Sequence, residues 1–291
     1  MATTIVTRGG RKGAAVKLWE QVFASDPPAG RGAEVLTTPV ARIGRLTLFL
    51  IQEMGRMLLF LLATVTWLVR PPFRPFHMVK QLHYIGVKST LVVVLTAAFT
   101  GMVLGLQLQY TLQKFGSEAV LGSAVGLSII RELGPVFAAL MVTARAGSAM
   151  TAEIGLMQIT EQVDALDTMA ISPLQYLIGP KLVASLIGVP LLVAIFDVVG
   201  ICGGYLVGVK LLGGNPGSYW SSLESAVTWK DVSGGILKSV NFGLIVSWVC
   251  CYKGFTTSRS AEGLGKATTE AVVLSAVLIL VSDYFLTSVL L

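Results

Sequence analysis

Charged side chains are scarce in this sequence. Only 13% of its 291 residues are Asp, Glu, Lys or Arg, whereas 54% are apolar, and the mean hydropathy is +0.75. Soluble domains average about 25% charged residues and cannot bury this much apolar surface in one core. Several membrane helices of about 20 apolar residues each would use that surface directly. The composition therefore excludes an ordinary soluble domain and predicts an all-α integral membrane protein.

Motifs for metal binding and catalysis are also missing. The three cysteines, Cys202, Cys250 and Cys251, lie in apolar runs at spacings that fit neither a disulfide framework nor a metal site. The sequence contains no GxxxxGK[ST] phosphate loop, no nucleophile elbow and no HExxH motif. We therefore expect no catalytic residue, metal or cofactor on this chain. If ATP drives its activity, another polypeptide must hydrolyse the ATP.

Basic residues outnumber acidic ones, 22 to 16, which gives a net charge of +6. Anionic lipid headgroups and the positive-inside bias of membrane proteins explain this surplus, so we expect no nucleic-acid partner. Residues 1–40 are rich in Gly, Ala, Pro and basic residues, which predicts a flexible cytoplasmic tail.

The segment 46–69 is apolar but contains Glu53 and Arg56. Only about 13 residues of it are free of charge, too few to cross a bilayer, and both of its flanks are basic. We interpret it as an elbow helix lying in the cytoplasmic interface, and a full span is the alternative. Five spans then leave the C-terminus outside; they are predicted at residues 89–113, 124–151, 181–209, 234–252 and 269–291.

Small residues and turn signals complete this outline. Gly101 and Gly105 form a GxxxG pair, and Gly200, Gly204 and Gly208 follow each other at intervals of four, so both helices could be approached closely. The segment 210–231, with its Gly-Gly-Asn-Pro-Gly turn and its aromatic residues, is predicted to be an outer loop.

Five ionisable residues lie inside the predicted spans. Each lies about 20 to 24 Å from the cytoplasmic end of its helix at 1.5 Å of rise per residue, which places all of them in one layer in the outer half of the membrane. Charges within a membrane are costly, so they mark either structural ion pairs or a pathway. Their common depth favours a polar site for a molecule with a charged head and apolar tails. The residues are Arg131, Glu132, Asp197, Lys238 and Asp283.

An acidic segment interrupts the otherwise basic cytoplasmic side. Apolar residues recur between 156 and 171 at spacings of four, three and four, which predicts an amphipathic helix. Its acids contradict the positive-inside rule and favour a protein partner over anionic lipid; a solvated connecting helix is the alternative. The candidate docking residues are Glu161, Gln162, Asp164, Leu166 and Asp167.

Several motifs in this chain resemble the MlaE (YrbE) permease family. The most specific of them is TEQVDAL at 160–166, followed by Ser172-Pro173; RELGP at 131–135, ARAG at 144–147, AEIG at 152–155 and DYFLT at 283–287 also match. The resemblance covers about residues 45–291. It implies a permease domain over 41–291, with the helix 156–171 as the coupling helix that docks on an ATPase.

The resemblance also implies a function and partners. The chain would be the membrane subunit of an ABC transporter in the bacterial inner membrane, with its N-terminus cytoplasmic and its C-terminus periplasmic. It would move phospholipid to or from a periplasmic MCE-domain protein and so maintain outer-membrane lipid asymmetry. The family implies a homodimer with two ATPase subunits that bind ATP and Mg²⁺, and in many systems a STAS-domain subunit. Arg131, Glu132, Lys238 and Asp283 would line or gate the lipid cavity.

Two alternatives are compatible with the residues. The chain could be a secondary transporter or proton-coupled channel that uses Glu132, Asp197 and Asp283 as a relay, although it lacks two inverted halves. It could also be an ABC permease for another apolar cargo, such as a sterol.

Overall fold

The computed structural model describes residues 39–68 and 75–290, and all long elements in these ranges are helices. The predicted tail, residues 1–40, lies outside the described residues except for its last two. Four of the helices are single α-helices of more than 25 residues, and two more contain short π-helical segments. The helices are α1 (Pro39–Leu68), α2 (Pro75–Ile85), α3 (Val87–Lys114), α4 (Glu118–Ile159), α5 (Gln162–Thr168), α6 (Leu174–Leu211), α7 (Pro216–Ala226), α8 (Trp229–Phe255) and α9 (Ala261–Leu290).

Within the described ranges, six helical stretches are long and apolar enough to cross a membrane. Five of them contain the five predicted spans, so the chain is a multi-pass, all-α membrane protein. The sixth lies in α1. Its residues Ile51–Leu68 are numerous and apolar enough to cross a membrane, although they include Glu53 and Arg56. Helix α1 crosses the boundary between two compact units, at Phe60 and Leu61. Its length is compatible with both the elbow and the full span.

Helices α4 and α6 extend beyond their predicted spans at both ends. They contain 42 and 38 residues, or about 63 and 57 Å of helix, whereas the hydrocarbon core of a bilayer is about 30 Å thick. The predicted boundaries followed the apolar pattern, and that pattern ends at the membrane interface. Backbone hydrogen bonding does not end there, so both helices continue past the hydrocarbon.

The core of the second unit lies between α6, α8 and their neighbours, because α6 packs along both α3 and α8. Phe196 and Phe242 are fully buried there. Helix α3 approaches α6 at the predicted glycines: a Cβ atom added to Gly101 would lie 1.9 Å from the Gly200 carbonyl oxygen. Only glycine allows this backbone contact, which confirms that both glycine patterns mark helix packing.

The outer segment 210–231 is not a loop throughout, as the sequence predicted. Residues Pro216–Ala226 form α7, whose first turn is capped by Asn215. The Asn215 side-chain oxygen accepts hydrogen bonds from the amides of Gly217, at 2.8 Å, and Ser218, at 3.3 Å. An Asn-Pro pair therefore begins a helix here, because asparagine caps free amides and proline suits the first helical position.

The single cytoplasmic helix predicted at 156–171 is also corrected. Helix α4 ends at Ile159, and the seven-residue α5 begins at Gln162. Glu161 between them has a left-handed φ of 58°, and so does Ala170 after α5. The apolar spacing that predicted one helix continues across these turns, because a periodic pattern does not record a local change in φ.

Candidate functional site

Lys238 is the centre of the outer polar cluster, which we define as Lys238, Glu132, Asp283 and Thr287. Its ammonium group donates hydrogen bonds to Glu132 Oε2 at 2.9 Å, Thr287 Oγ1 at 2.7 Å and the Arg131 carbonyl at 2.9 Å. Asp283 Oδ1 lies 3.0 Å from the same nitrogen. The Lys238 side chain is only 4% exposed, so its charge depends on these neighbours instead of on water.

The backbone of α4 explains why a carbonyl is available to Lys238. Residues Ile129–Leu133 are π-helical, and the Gly134 amide bonds to the Ile129 carbonyl. Pro135 has no amide hydrogen, so the Arg131 carbonyl lacks the donor that an α-helix would supply. Helix α8 comes close at Gly235, where an added Cβ would lie 2.7 Å from the Ile130 carbonyl oxygen. Lys238, one turn further along α8, therefore reaches the free carbonyl.

Arg131 forms a second ion pair next to this cluster. Its Nη2 and Nε atoms lie 2.6 and 2.7 Å from Asp231 Oδ1. Asp231 Oδ2 in turn accepts hydrogen bonds from the backbone amide and the hydroxyl of Thr228, at 2.8 and 2.7 Å. Asp231 falls in the segment 210–231 that was predicted to be an outer loop, and its pairing with Arg131 was not predicted. The Thr228-x-x-Asp231 spacing at the start of α8 is a capping signal that could have identified it.

Asp197 does not join the outer polar cluster. Its Oδ1 atom packs against the backbone of Gly134, where a Cβ would lie 1.9 Å away. That oxygen is buried and has no hydrogen-bond partner among the described residues. Asp197 therefore lies close to the charged segment of α4, as its depth predicted, but faces a different side of it. The other four members of the predicted layer meet around Lys238 and Arg131.

A small cavity of about 110 Å³ opens beside the cluster. It carries three cations and two carboxylates, so it can receive both a negative and a positive group. Its volume is well below the roughly 300 Å³ at which ligand pockets begin. It can hold part of a headgroup but not a whole amphiphile. The lining residues are Arg131, Glu132, Thr228, Lys230, Asp231, Gly234, Gly235, Lys238, Thr287 and Leu290.

Helix α5 and the residue before it, Glu161, present the acidic residues of the segment 156–171. Val163 is buried and anchors it, whereas Glu161, Gln162 and Asp167 are exposed and Leu166 is partly exposed. Partial burial, and then the neighbouring Asp164, raise the pKa of Asp167. The acidic face is therefore exposed, and its docking on a partner stays a prediction.

Arg259, in the turn between α8 and α9, lies beside this acidic face. Its Nη2 atom donates a hydrogen bond to Asp164 Oδ2 at 2.7 Å, and its Nη1 atom lies 3.9 Å from Glu161 Oε1. Both carboxylates are well exposed despite these contacts. Sequence reasoning missed Arg259 because 95 residues separate it from Asp164.

Comparison with known proteins identifies relatives over most of the chain. The family described as "Permease MlaE" matches residues 78–289. A probable ABC transporter permease protein of Rickettsia bellii is 44% identical over 84% of this chain and 95% of its own length. The intermembrane phospholipid transport system permease protein MlaE of Haemophilus influenzae is 44% identical over 73% of this chain and 82% of its own. The chloroplastic protein TRIGALACTOSYLDIACYLGLYCEROL 1 of Arabidopsis thaliana is 35% identical over 72% and 60%.

Proposed function

Because this chain belongs to the MlaE permease family, we propose that it is the membrane subunit of an ABC transporter that moves phospholipid. The relative from Haemophilus influenzae carries that activity in its name, and several Rickettsia relatives are named as ABC transporter permeases. In this proposal ATP is hydrolysed on a separate ATPase subunit that also holds Mg²⁺. The cytoplasmic membrane of a bacterium is the proposed location, with the N-terminus inside and the C-terminus outside.

The observation that carries the proposal is the outer polar cluster with its adjacent cavity. A phospholipid headgroup contains a phosphate and, in many lipids, an amine. Arg131 and Lys230 line the cavity and offer cations to the phosphate, while the half-exposed Glu132 offers a carboxylate to the amine. Apolar helices surround the site, so acyl chains would meet membrane-spanning surface below it.

The size of the cavity supports a homodimer. A space of about 110 Å³ encloses a headgroup fragment, whereas ligand sites usually bury most of their ligand. A second copy facing the first across a twofold axis would double the lining and could enclose the acyl chains. We propose that the lipid site is completed between two copies of the chain.

The acidic face of α5 supports docking on the ATPase. Its carboxylates would meet basic residues on that partner, which gives both orientation and specificity. The left-handed turn at Glu161 fixes the direction in which α5 leaves α4. Movement of the ATPase would then reach the outer polar cluster through α4, a continuous helix that carries Arg131 and Glu132. On the outer side, a periplasmic MCE-domain protein would accept or supply the lipid, and a STAS-domain subunit is a further proposed partner on the inside.

Reconstituted transport tests the cargo and the energy source together. The permease would be purified with its ATPase, placed in proteoliposomes and given fluorescent phosphatidylglycerol or a fluorescent sterol. We expect phospholipid to leave the membrane for an acceptor protein only when hydrolysable ATP and Mg²⁺ are present. A non-hydrolysable ATP analogue is the matched control.

Two results would contradict this proposal. Transport that runs on a proton gradient without nucleotide would assign the chain to secondary transporters. ATP-driven movement of the sterol but not of phosphatidylglycerol would keep the ABC class and reject the cargo.

A further inference from the structure

Two neighbouring cations at the cytoplasmic ends of the helices lack a carboxylate partner among the described residues. Three of the acids at this end of the second unit are paired with other basic residues. Arg145 on α4 and Lys88 on α3 make no ion pair in the part of the chain that the structure describes. Their charges therefore remain available for another anion. The acid–base pairs that exclude them are Glu153–Lys181, Glu270–Lys253 and Asp164–Arg259.

Both of these cations contact the same tyrosine ring. The Arg145 guanidinium carbon lies 5.2 Å from the centroid of the Tyr84 ring, and the Lys88 ammonium nitrogen lies 4.9 Å from it. Attraction to the ring face partly offsets the repulsion between two positive charges. With one at 4.9 Å and the other at 5.2 Å from the ring centroid, the two cations lie within about 10 Å of each other at the point where α2 turns into α3.

Arg145 is held by one end of its guanidinium group. Its Nη1 atom donates hydrogen bonds to the Tyr84 carbonyl at 2.9 Å and to Ser89 Oγ at 3.3 Å. Its Nε and Nη2 atoms have no acceptor among the described residues. A guanidinium fixed in this way presents its other donors in the forked geometry that binds two phosphate oxygens.

An exposed apolar surface begins directly beside Lys88. Leu91, Leu95 and Phe99 follow on α3, and they are 68%, 50% and 62% exposed. Their spacing of four places them on one side of the helix, in a line that leads from the cytoplasmic end into the membrane. A ligand that binds both the cations and this stripe must have an anionic head and apolar chains.

We propose that Lys88 and Arg145 bind the phosphate of an anionic phospholipid in the cytoplasmic leaflet, with its acyl chains along Leu91, Leu95 and Phe99. This site is separate from the outer polar cluster. Arg145 lies 13 residues after Glu132 on α4, which corresponds to about 20 Å along the helix axis. The bound lipid would connect the turn between α2 and α3 to α4. Its binding does not require that the chain transports lipid.

Lipid retention measured by native mass spectrometry tests the proposal. The complex that contains the permease would first be incubated in detergent with equal amounts of phosphatidylglycerol and phosphatidylcholine. It would then be released from the detergent for the measurement. We expect Lys88→Gln and Arg145→Gln each to reduce retained phosphatidylglycerol about fivefold, since each cation near a lipid surface contributes about this much. Lys114→Gln is the matched control, because Lys114 lies at the other end of α3 over the Tyr110 ring, at 4.5 Å.

A second measurement locates the site. Hydrogen exchange of the amides in residues 84–91 should be slower in nanodiscs of phosphatidylglycerol than in nanodiscs of phosphatidylcholine, and Lys88→Gln should abolish the difference. Lys88 is exposed, and the ring contact is the one side-chain contact recorded for it among the described residues. This variant therefore decides the question even if Arg145→Gln melts at a lower temperature.

Three results would overturn the inference. Wild-type retention of phosphatidylglycerol in both variants would show that the two cations do not bind it. An equal loss in Lys114→Gln would show unspecific charge attraction. Inorganic phosphate that displaces the lipid, and protects residues 84–91 without lipid, would reveal a phosphate site instead.

Discussion

The outer polar cluster and the acidic face of α5 both depend on acid–base contacts, yet the contacts differ in kind. Lys238 lies 2.9 Å from Glu132, and Arg259 lies only 2.7 Å from Asp164. The shorter contact is the weaker one, because Arg259 is 54% exposed and Lys238 is 4% exposed. Water screens both partners of the Arg259–Asp164 pair, whereas it reaches the Lys238–Glu132 pair only from the side of the half-exposed Glu132. Distance alone therefore does not rank ion pairs; burial does.

The backbones of the two regions also differ in burial. The outer polar cluster uses a π-helical segment and Pro135 to free a carbonyl for Lys238 inside a packed bundle. Helix α5 is bounded by two residues with left-handed φ, Glu161 and Ala170, and only Val163 within it is buried. The first region is packed inside the helical bundle, and the second is a small exposed element that a partner could contact. Four variants test this contrast.

The largest effect is expected at Lys238. Lys238→Met removes the cation that neutralises Glu132 and Asp283, and an uncompensated buried charge costs about 3–5 kcal/mol. We expect a strongly lowered melting temperature in detergent and loss of ATP-dependent lipid transport. The triple variant Lys238→Met, Glu132→Gln, Asp283→Asn should regain most of the thermal stability, because it removes all three charges. If the triple variant also regained transport, the cluster would be structural only.

A charge reversal on α5 should separate coupling from stability. Glu161→Lys together with Asp164→Lys places two cations where we propose that the ATPase docks. We expect lipid-stimulated ATP hydrolysis to fall about tenfold, which lies within the usual range of coupling between sites. The melting temperature should change little. Glu118→Lys, an exposed acid at the opposite end of α4, is the control. Unchanged turnover with the ATPase still bound would mean that α5 is not the coupling element.

A smaller gain in stability is expected at the end of α5. Ala170 has a φ of 58°, a conformation that costs an L-residue about 1 kcal/mol relative to glycine. Ala170→Gly should therefore raise the melting temperature, whereas Ala165→Gly inside α5 should lower it by a similar amount. Thermal unfolding of both variants in detergent checks the sign. A lower melting temperature for Ala170→Gly would show that the left-handed turn is not a source of strain.

The smallest effect is expected at Arg259. Arg259→Gln removes an exposed ion pair worth about 0.5 kcal/mol, so the melting temperature should stay close to that of the wild type at low and high salt. The measurement is the same thermal unfolding assay, run beside Lys238→Met. A loss as large as that of Lys238→Met would reject burial as the quantity that ranks these two contacts.

Spacing along the chain was enough to find most of the outer site. Arg131, Glu132, Lys238 and Asp283 were predicted at one depth, because helical rise converts a residue count into a distance. The same arithmetic included Asp197, which the structure turns towards Gly134 and away from Lys238. Depth is a property of one helix, whereas the direction of a side chain depends on how that helix is rotated against its neighbours.

Hydropathy and residue spacing act locally, so they were enough to predict a helical membrane protein and the glycines that allow close packing. The contacts between helices, by contrast, were seen first in the folded chain: Asp231 with Arg131, the Arg131 carbonyl with Lys238, and Arg259 with Asp164. The tertiary structure also divided the segment 156–171 at Glu161. The physical reason is the same in each case. These contacts join residues from different helices or depend on a single dihedral angle, and neither leaves a periodic signal in the chain.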